Sequence, residues 1–295
     1  MRKVTKIIES THVLEGGGFP VARPFPIAGN LQFDPFLLLD HFGPIVWPPG
    51  GAIGAPDHPH RGFETITYLI EGQMVHKDSG GNIAKMGNGE AQWMVAGSGL
   101  VHSEMPPEDF KAKGGLMHGF QLWVNLPMGQ KMIPPAYKNI LAHQIPKVEL
   151  KNGFIKVLAG ELAGVTGPAS PVTPIIYAHL HLDAKGEAGS SYTVDLPLDY
   201  SAACYSFSGT GLFGEEKTQT PKDRLVCFGE GSSIIVEQIG KEPLDVLILA
   251  GKPLNEPIAR HGPFVMNSKE EIQQAVYDYQ SGKMGQIAPN DLSEP

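Results

Sequence analysis

The residues best suited to chemistry stand in two short segments. Residues 57–65 read DHPHRGFET, with His58 and His60 two apart and Glu64 four residues after the second histidine. Residues 97–106 read GSGLVHSEMP, which sets His102 and Glu104 two apart behind a glycine-rich turn. On a β-strand the side chains at i and i+2 leave from one face, so each pair points one way. Three imidazoles and a carboxylate brought together from two strands can hold one ion and leave one or two coordination positions open. Nitrogen and oxygen donors of this kind suit a divalent metal such as Fe(II), Mn(II), Cu(II), Ni(II), Co(II) or Zn(II). A closed structural zinc site more often uses thiolates, and neither Cys204 nor Cys227 is near these segments in the sequence. Glu64 has the parity of His58 and His60 and is a competing carboxylate donor.

Such a site needs rigid strands, and the chain is rich in them. The stretches 63–72, 90–97, 116–127, 154–160, 175–183, 191–197, 202–209, 223–231, 232–238 and 244–251 are short and rich in β-branched or aromatic residues, and most end at Gly or Pro. Their spacing predicts an all-β sandwich or barrel. One helix is expected near the end, with Ser268 as N-cap, Glu271 completing a capping box and Gly282 as the stop. Residues 127–139 are proline-rich and non-periodic, and read as a connection between two halves. The halves resemble each other: YLIEG (68–72) parallels YSFSG (205–209), and GNG (87–89) is matched to GEG (229–231). A duplicated barrel follows.

Composition narrows the function classes. The 295 residues carry 23 Lys and Arg against 31 Asp and Glu, a net charge of −8. An acidic chain without a basic run has no electrostatic footprint for direct nucleic-acid binding. Glycine (36) and proline (26) are abundant, as many turns require. Two cysteines without a metal-type spacing fit a reducing cytosol as small buried side chains. The opening MRKVTKIIEST lacks the apolar stretch of a signal peptide, and no run approaches the roughly 20 apolar residues of a membrane helix. A soluble, cytoplasmic protein is expected.

HPHRGFETITYLIEG, GSGLVHSEMP, LWVNLP, PPAYK and HGPFVMNSKEEI together resemble the signature segments of the pirin family, a branch of the cupin superfamily. The likeness runs from about residue 25 to residue 285. It implies a bicupin: two face-to-face jelly-roll β-barrels with a short C-terminal helix. It further implies an N-terminal metal-binding barrel over 1–130, a linker over 131–150 and a metal-free C-terminal barrel over 151–295. A mononuclear metal, usually iron, would be held by His58, His60, His102 and Glu104. Cupins in general use the glutamate after HxH; pirins resemble one another in using the Glu of HSE. Glu64 is then expected to steady the outer nitrogen of a metal-bound imidazole, or to pair with Arg61 or a lysine.

His179 and His181 form a second HxH, but at an offset of 137 they fall opposite Phe42 and Pro44. The second-half counterparts of the four ligands are expected at Asp195, Pro197, Leu244 and Val246, which leaves that barrel metal-free. His41, His76, His118, His143 and His261 read as ordinary strand or loop histidines. The resemblance implies quercetin 2,3-dioxygenase activity, in which O2 cleaves a flavonol ring and carbon monoxide leaves. Glu104 would take the substrate hydroxyl proton. Phe42, Phe63, Trp93, Met94 or Met105 could hold the aromatic substrate, or each could simply fill the barrel core. The alternative implied by the same family is an iron-binding, redox-sensing regulator that acts through a protein partner.

Overall fold

The computed structural model describes residues 1–26, 33–184 and 190–288. The chain folds into two compact units, each assembled from separated stretches. One contains His12–Arg23, Phe36–Ala142 and Leu254–Pro295; the other contains Met1–Thr11, Pro24–Pro35 and His143–Pro253.

The first unit has a seven-stranded sheet in the order Ala136–Ile140, Ala91–Val95, Phe63–Glu71, Gly115–Asn125, Phe36–Trp47, Phe19–Phe25, Thr11–Glu15. Its second sheet has four strands, in the order Ala55–His60, Leu100–Met105, Met74–Asp78, Ile83–Met86. The second unit repeats the plan. Its seven strands run Val4–Glu9, Arg224–Phe228, Ser201–Ser208, Leu244–Gly251, Ile175–Leu182, Gly153–Ala159, Lys147–Leu150, and its four run Ser190–Asp195, Ser233–Ile239, Thr210–Phe213, Thr218–Pro221. The ladders at the centre of each unit are antiparallel, and each unit buries a core drawn from both of its sheets. The fold is thus all-β, two cupin jelly rolls of paired sheets, with the expected C-terminal helix at Lys269–Gln280.

That helix starts as the sequence dictates. The Ser268 hydroxyl accepts from the Glu271 amide at 3.2 Å, and the Glu271 carboxylate accepts from the Ser268 amide at 2.9 Å. Its membership differs from the contiguous boundaries expected above. Ala275 packs with Val101, Phe264 and Met284, which places the helix in the first unit. The proline-rich stretch also belongs there, because Ala136–Ile140 pairs with Ala91–Val95. In exchange, Val4–Glu9 at the start of the chain pairs with Arg224–Phe228 in the second unit. These are ladder pairings between residues far apart in sequence, which local composition does not encode.

The ladders also correct the alignment of the two copies. Glu104 lies opposite His76 and His102 opposite His58 in the first unit. Val236 lies opposite Phe213, and Ile234 opposite Val194, in the second. Counting from the hairpin glycines Gly72 and Gly209, His76 and Phe213 occupy the same place, so the four ligand positions correspond to Val194, Leu196, Ile234 and Val236. The segment between hairpin and ligand strand is five residues shorter in the second copy, so GEG matches GSG (97–99) rather than GNG. All four counterparts are buried aliphatics in the second core. Among the described residues no helix is long and apolar enough to cross a membrane. Cys204 and Cys227 are free thiols whose pKa values burial raises, that of Cys227 to about 11.

Candidate metal centre

His58 and His60 lie on Ala55–His60, and His102 and Glu104 lie on its antiparallel neighbour Leu100–Met105. One ligating atom from each of His58, His60 and His102 falls within 4.8 Å of the others. The ring centroids are 4.3 to 4.8 Å apart. The carbonyl of Pro56 accepts from His58 Nδ1 at 2.7 Å, and that of Pro263 from His60 Nδ1 at 3.4 Å. A carbonyl can only accept, so both Nδ1 atoms carry a proton, and in the neutral ring the lone pair is then on Nε2. His60 Nε2 and both nitrogens of His102 have no hydrogen-bond partner among the described residues, although the two rings are 2% and 0% exposed. Burial, reinforced by the neighbouring imidazoles, holds the pKa of His60 and of His102 well below the ordinary histidine value. Neutral imidazoles with unspent lone pairs are what a divalent cation requires.

Glu104 lies outside that tight group of three and lines the same cavity as His58 and His60. Its Oε1 accepts from Thr67 Oγ1 at 3.1 Å and from Gln92 Nε2, and its Oε2 accepts from Gln121 Nε2 at 2.7 Å. The donors are themselves oriented. Trp123 Nε1 donates to Gln121 Oε1, and the Tyr137 hydroxyl donates to Gln92 Oε1, so each amide turns its NH2 to the carboxylate. The cavity is about 550 Å³ and is walled on its apolar side by Leu38 and Trp123. Arg23, Asp40 and Glu15 line it too: Arg23 makes two 2.7 Å bonds to Asp40 and a 2.6 Å bond to Glu15. The residues present therefore fit a metal ion: three clustered imidazoles, two of them lining a cavity that a positioned carboxylate also lines.

Comparison with known proteins bears on the same residues. Residues 18–124 match the family model "Pirin", and residues 181–285 match "Pirin C-terminal cupin domain". A pirin-like protein of Solanum lycopersicum is 40% identical over 285 residues, covering 96% of this chain and 93% of its own. The chain belongs to the pirin family. A crystal structure of quercetin 2,3-dioxygenase from Acinetobacter baumannii superposes with a TM-score of 0.90 at 35% identity, over 98% of this chain and 100% of the other. The bacterial pirin YhhW of Escherichia coli, solved in complex with nickel(II), shares the fold at a TM-score of 0.63 and 18% identity, over 84% of this chain and 99% of its own.

The pirin architecture gives Glu64 a different place from the one expected. It is fully buried, and its carboxylate accepts from the Trp93 indole at 3.1 Å. The outer nitrogens of His58 and His60 go to backbone carbonyls instead, so Glu64 steadies neither ring. The expected aromatic pocket also shifts. Of Phe42, Phe63, Trp93, Met94 and Met105, Phe42 lines a small apolar cavity of about 70 Å³, and none lines the larger one. Phe63 stacks on Trp123 at 4.2 Å and sets its edge to His60, which makes it a support for the wall.

His76, expected to be an ordinary strand histidine, is part of the centre's surroundings. It is fully buried, stacks on Tyr137 at 4.2 Å, donates from Nε2 to Asp78 at 3.0 Å and lies 5.4 Å from His102 ring to ring. Its signal was present in the sequence as a same-face His-x-Asp. Thr67, Gln92, Gln121 and Pro263 carried no such signal, since neutral polar residues and a proline are common in any β protein.

In the second unit, His179 Nε2 and His181 Nδ1 both face Asp245 Oδ1, at 3.0 and 2.6 Å. The pair is thus spent on a carboxylate, as an ordinary strand histidine would be. The Asp245 hydrogen bond raises the His181 pKa, whereas burial keeps that of His179 low. In Asp245→Asn the His181 ring should titrate at lower pH than in the wild type, read from its proton shifts by NMR. The sign follows from linkage. A raised histidine pKa contributes stability in full below about 6.5 and loses it as pH rises through the folded value; the asparagine variant, left with Asp183 alone, should show a shallower slope. An unchanged His181 titration would dismiss Asp245 as its cause.

Proposed function

We propose that the chain is a metal-dependent dioxygenase of the quercetin 2,3-dioxygenase type, with His58, His60, His102 and Glu104 as ligands and a flavonol and O2 as substrates. The observation that carries this reading is the set of buried imidazole nitrogens with no partner among the described residues, next to a cavity of about 550 Å³ that His58, His60 and Glu104 line. A divalent ion there, iron on the family resemblance, supplies Lewis acidity toward a substrate hydroxyl and a position for oxygen. Glu104 accepts the hydroxyl proton, and its three donors fix the direction in which it does so. Trp123 and Leu38 give a planar substrate an apolar wall and limit water beside it. The cavity falls in the range of roughly 300–1,000 Å³ usual for small-molecule sites, which favours catalysis over the narrow pocket expected of a pure redox sensor.

The test is metal analysis of the purified protein followed by turnover. Iron-loaded protein should consume quercetin and O2 and release carbon monoxide in equal amounts. Metal-replete protein that is inert after loading with Fe, Mn, Cu, Ni or Co would remove the dioxygenase reading and leave the regulatory one.

A further inference from the structure

Neighbouring residues on a strand face opposite ways, so the residues beside the ligands occupy the back of the ligand sheet. That back is where the C-terminal segment lies. Arg61, next to His60, donates from Nη1 to Asp278 of the helix at 3.0 Å and from Nε to the Ser98 carbonyl at 2.7 Å; both members of the ion pair are buried. Val101, next to His102, packs on Phe264, Ala275 and Met284. Ser79 ties the two together, since its hydroxyl donates to Met284 O at 2.8 Å and accepts from Val101 N at 3.1 Å. The hairpin formed by Ala259–His261 and Phe264–Met266 completes the attachment. Val265 N donates to Arg61 O at 3.1 Å, and the Pro263 carbonyl receives the His60 Nδ1 proton. Gly62 has φ +89°, and a Cβ there would meet Val265 O at 1.9 Å, so the turn after His60 closes directly on the hairpin.

We infer that the C-terminal hairpin and helix set the geometry of the metal centre, with Asp278 as a positioning residue acting through Arg61 on His60. The inference rests on the proposed assignment of His58, His60 and His102 as metal ligands. Of those three rings, His60 is held by a carbonyl that belongs to this segment. If the segment loosens, the His60 ring loses its Nδ1 acceptor and its fixed direction. Partners of this kind around a metal ligand typically contribute 10–100-fold in affinity. Coupling is reciprocal, so metal binding must in turn tighten the segment.

Two measurements test this, both with cobalt(II) as the probe. In chelator competition, Asp278→Asn should bind cobalt about 10–100-fold more weakly than the wild type and show shifted d–d absorption bands, whereas Asp278→Glu should recover most of the affinity. Val236→Ala, which opens a core cavity in the second unit, should lose stability without losing affinity. In the wild type, hydrogen exchange of the Val265 amide and of the amides of Lys269–Gln280 should slow when cobalt is added. Wild-type affinity and spectrum in Asp278→Asn, or equal weakening in Val236→Ala, would overturn the inference. So would protection confined to Ala55–His60 and Leu100–Met105. If the wild type binds no cobalt, the ligand assignment itself falls, and this coupling with it.

Discussion

His102→Ala should empty the metal centre, lowering cobalt affinity more than 100-fold, beyond the roughly 10–100-fold typical when a ligand's hydrogen-bond partner is lost. His102 is fully buried, both of its ring nitrogens lack a partner among the described residues, and it stands opposite His58 across the ladder. His58→Ala, His60→Ala and Glu104→Ala should also lose the ion. Glu104→Ala should in addition destabilise the fold, because it strands the donors of Thr67, Gln92 and Gln121 in the interior. His179→Ala should keep a full complement, since its ring faces Asp245 in the second unit. Metal content by elemental analysis and affinity by chelator competition read all five variants. Equal loss in His179→Ala and His102→Ala would defeat the assignment.

The second large effect concerns stability. Lys131 is 1% exposed, and its ammonium donates to the Gly62 carbonyl at 2.8 Å, to Asn125 Oδ1 at 2.7 Å and to the Val265 carbonyl at 3.1 Å. Methionine fills a similar volume and offers no donor, so Lys131→Met takes the ammonium away from three buried acceptors. At about 1–3 kcal/mol for each such group, partly relieved by relaxation, the loss should be about 3–5 kcal/mol. That is a large share of the 5–15 kcal/mol usual for a domain. Urea unfolding monitored by tryptophan fluorescence would measure it; a loss below about 1 kcal/mol would mean that the acceptors find other donors. Burial pulls the Lys131 pKa down from 10.5 to about 8. The unfolded chain therefore holds the extra proton between those values, and wild-type stability should rise with pH across that window relative to the methionine variant.

Much of this was legible from the chain. The histidine pairs carry their own geometry, because the two-residue repeat of a strand puts His58 with His60 and His102 with Glu104 on single faces. The capping box at Ser268 and Glu271 is likewise local, and it is present in the fold. The duplication was visible in YLIEG and YSFSG, yet its register was not. Two short motifs cannot locate a five-residue difference in loop length, and the counterparts of the ligands moved from Asp195, Pro197, Leu244 and Val246 to Val194, Leu196, Ile234 and Val236. At the realigned positions the second unit carries buried aliphatic side chains, which offer no metal donor atoms.

The sequence by itself determined the residue types of the candidate centre, the all-β class, the doubled plan and the family, since each follows from short-range pattern or from collinear likeness. Tertiary structure alone decided which neutral side chains aim Glu104, that Glu64 serves Trp93, and that the C-terminal segment closes on the turn after His60. Those facts depend on pairings between residues as far apart as His60 and Pro263, or Arg61 and Asp278. Such contacts are selected by the packing of a whole sheet, and no spacing within one strand announces them.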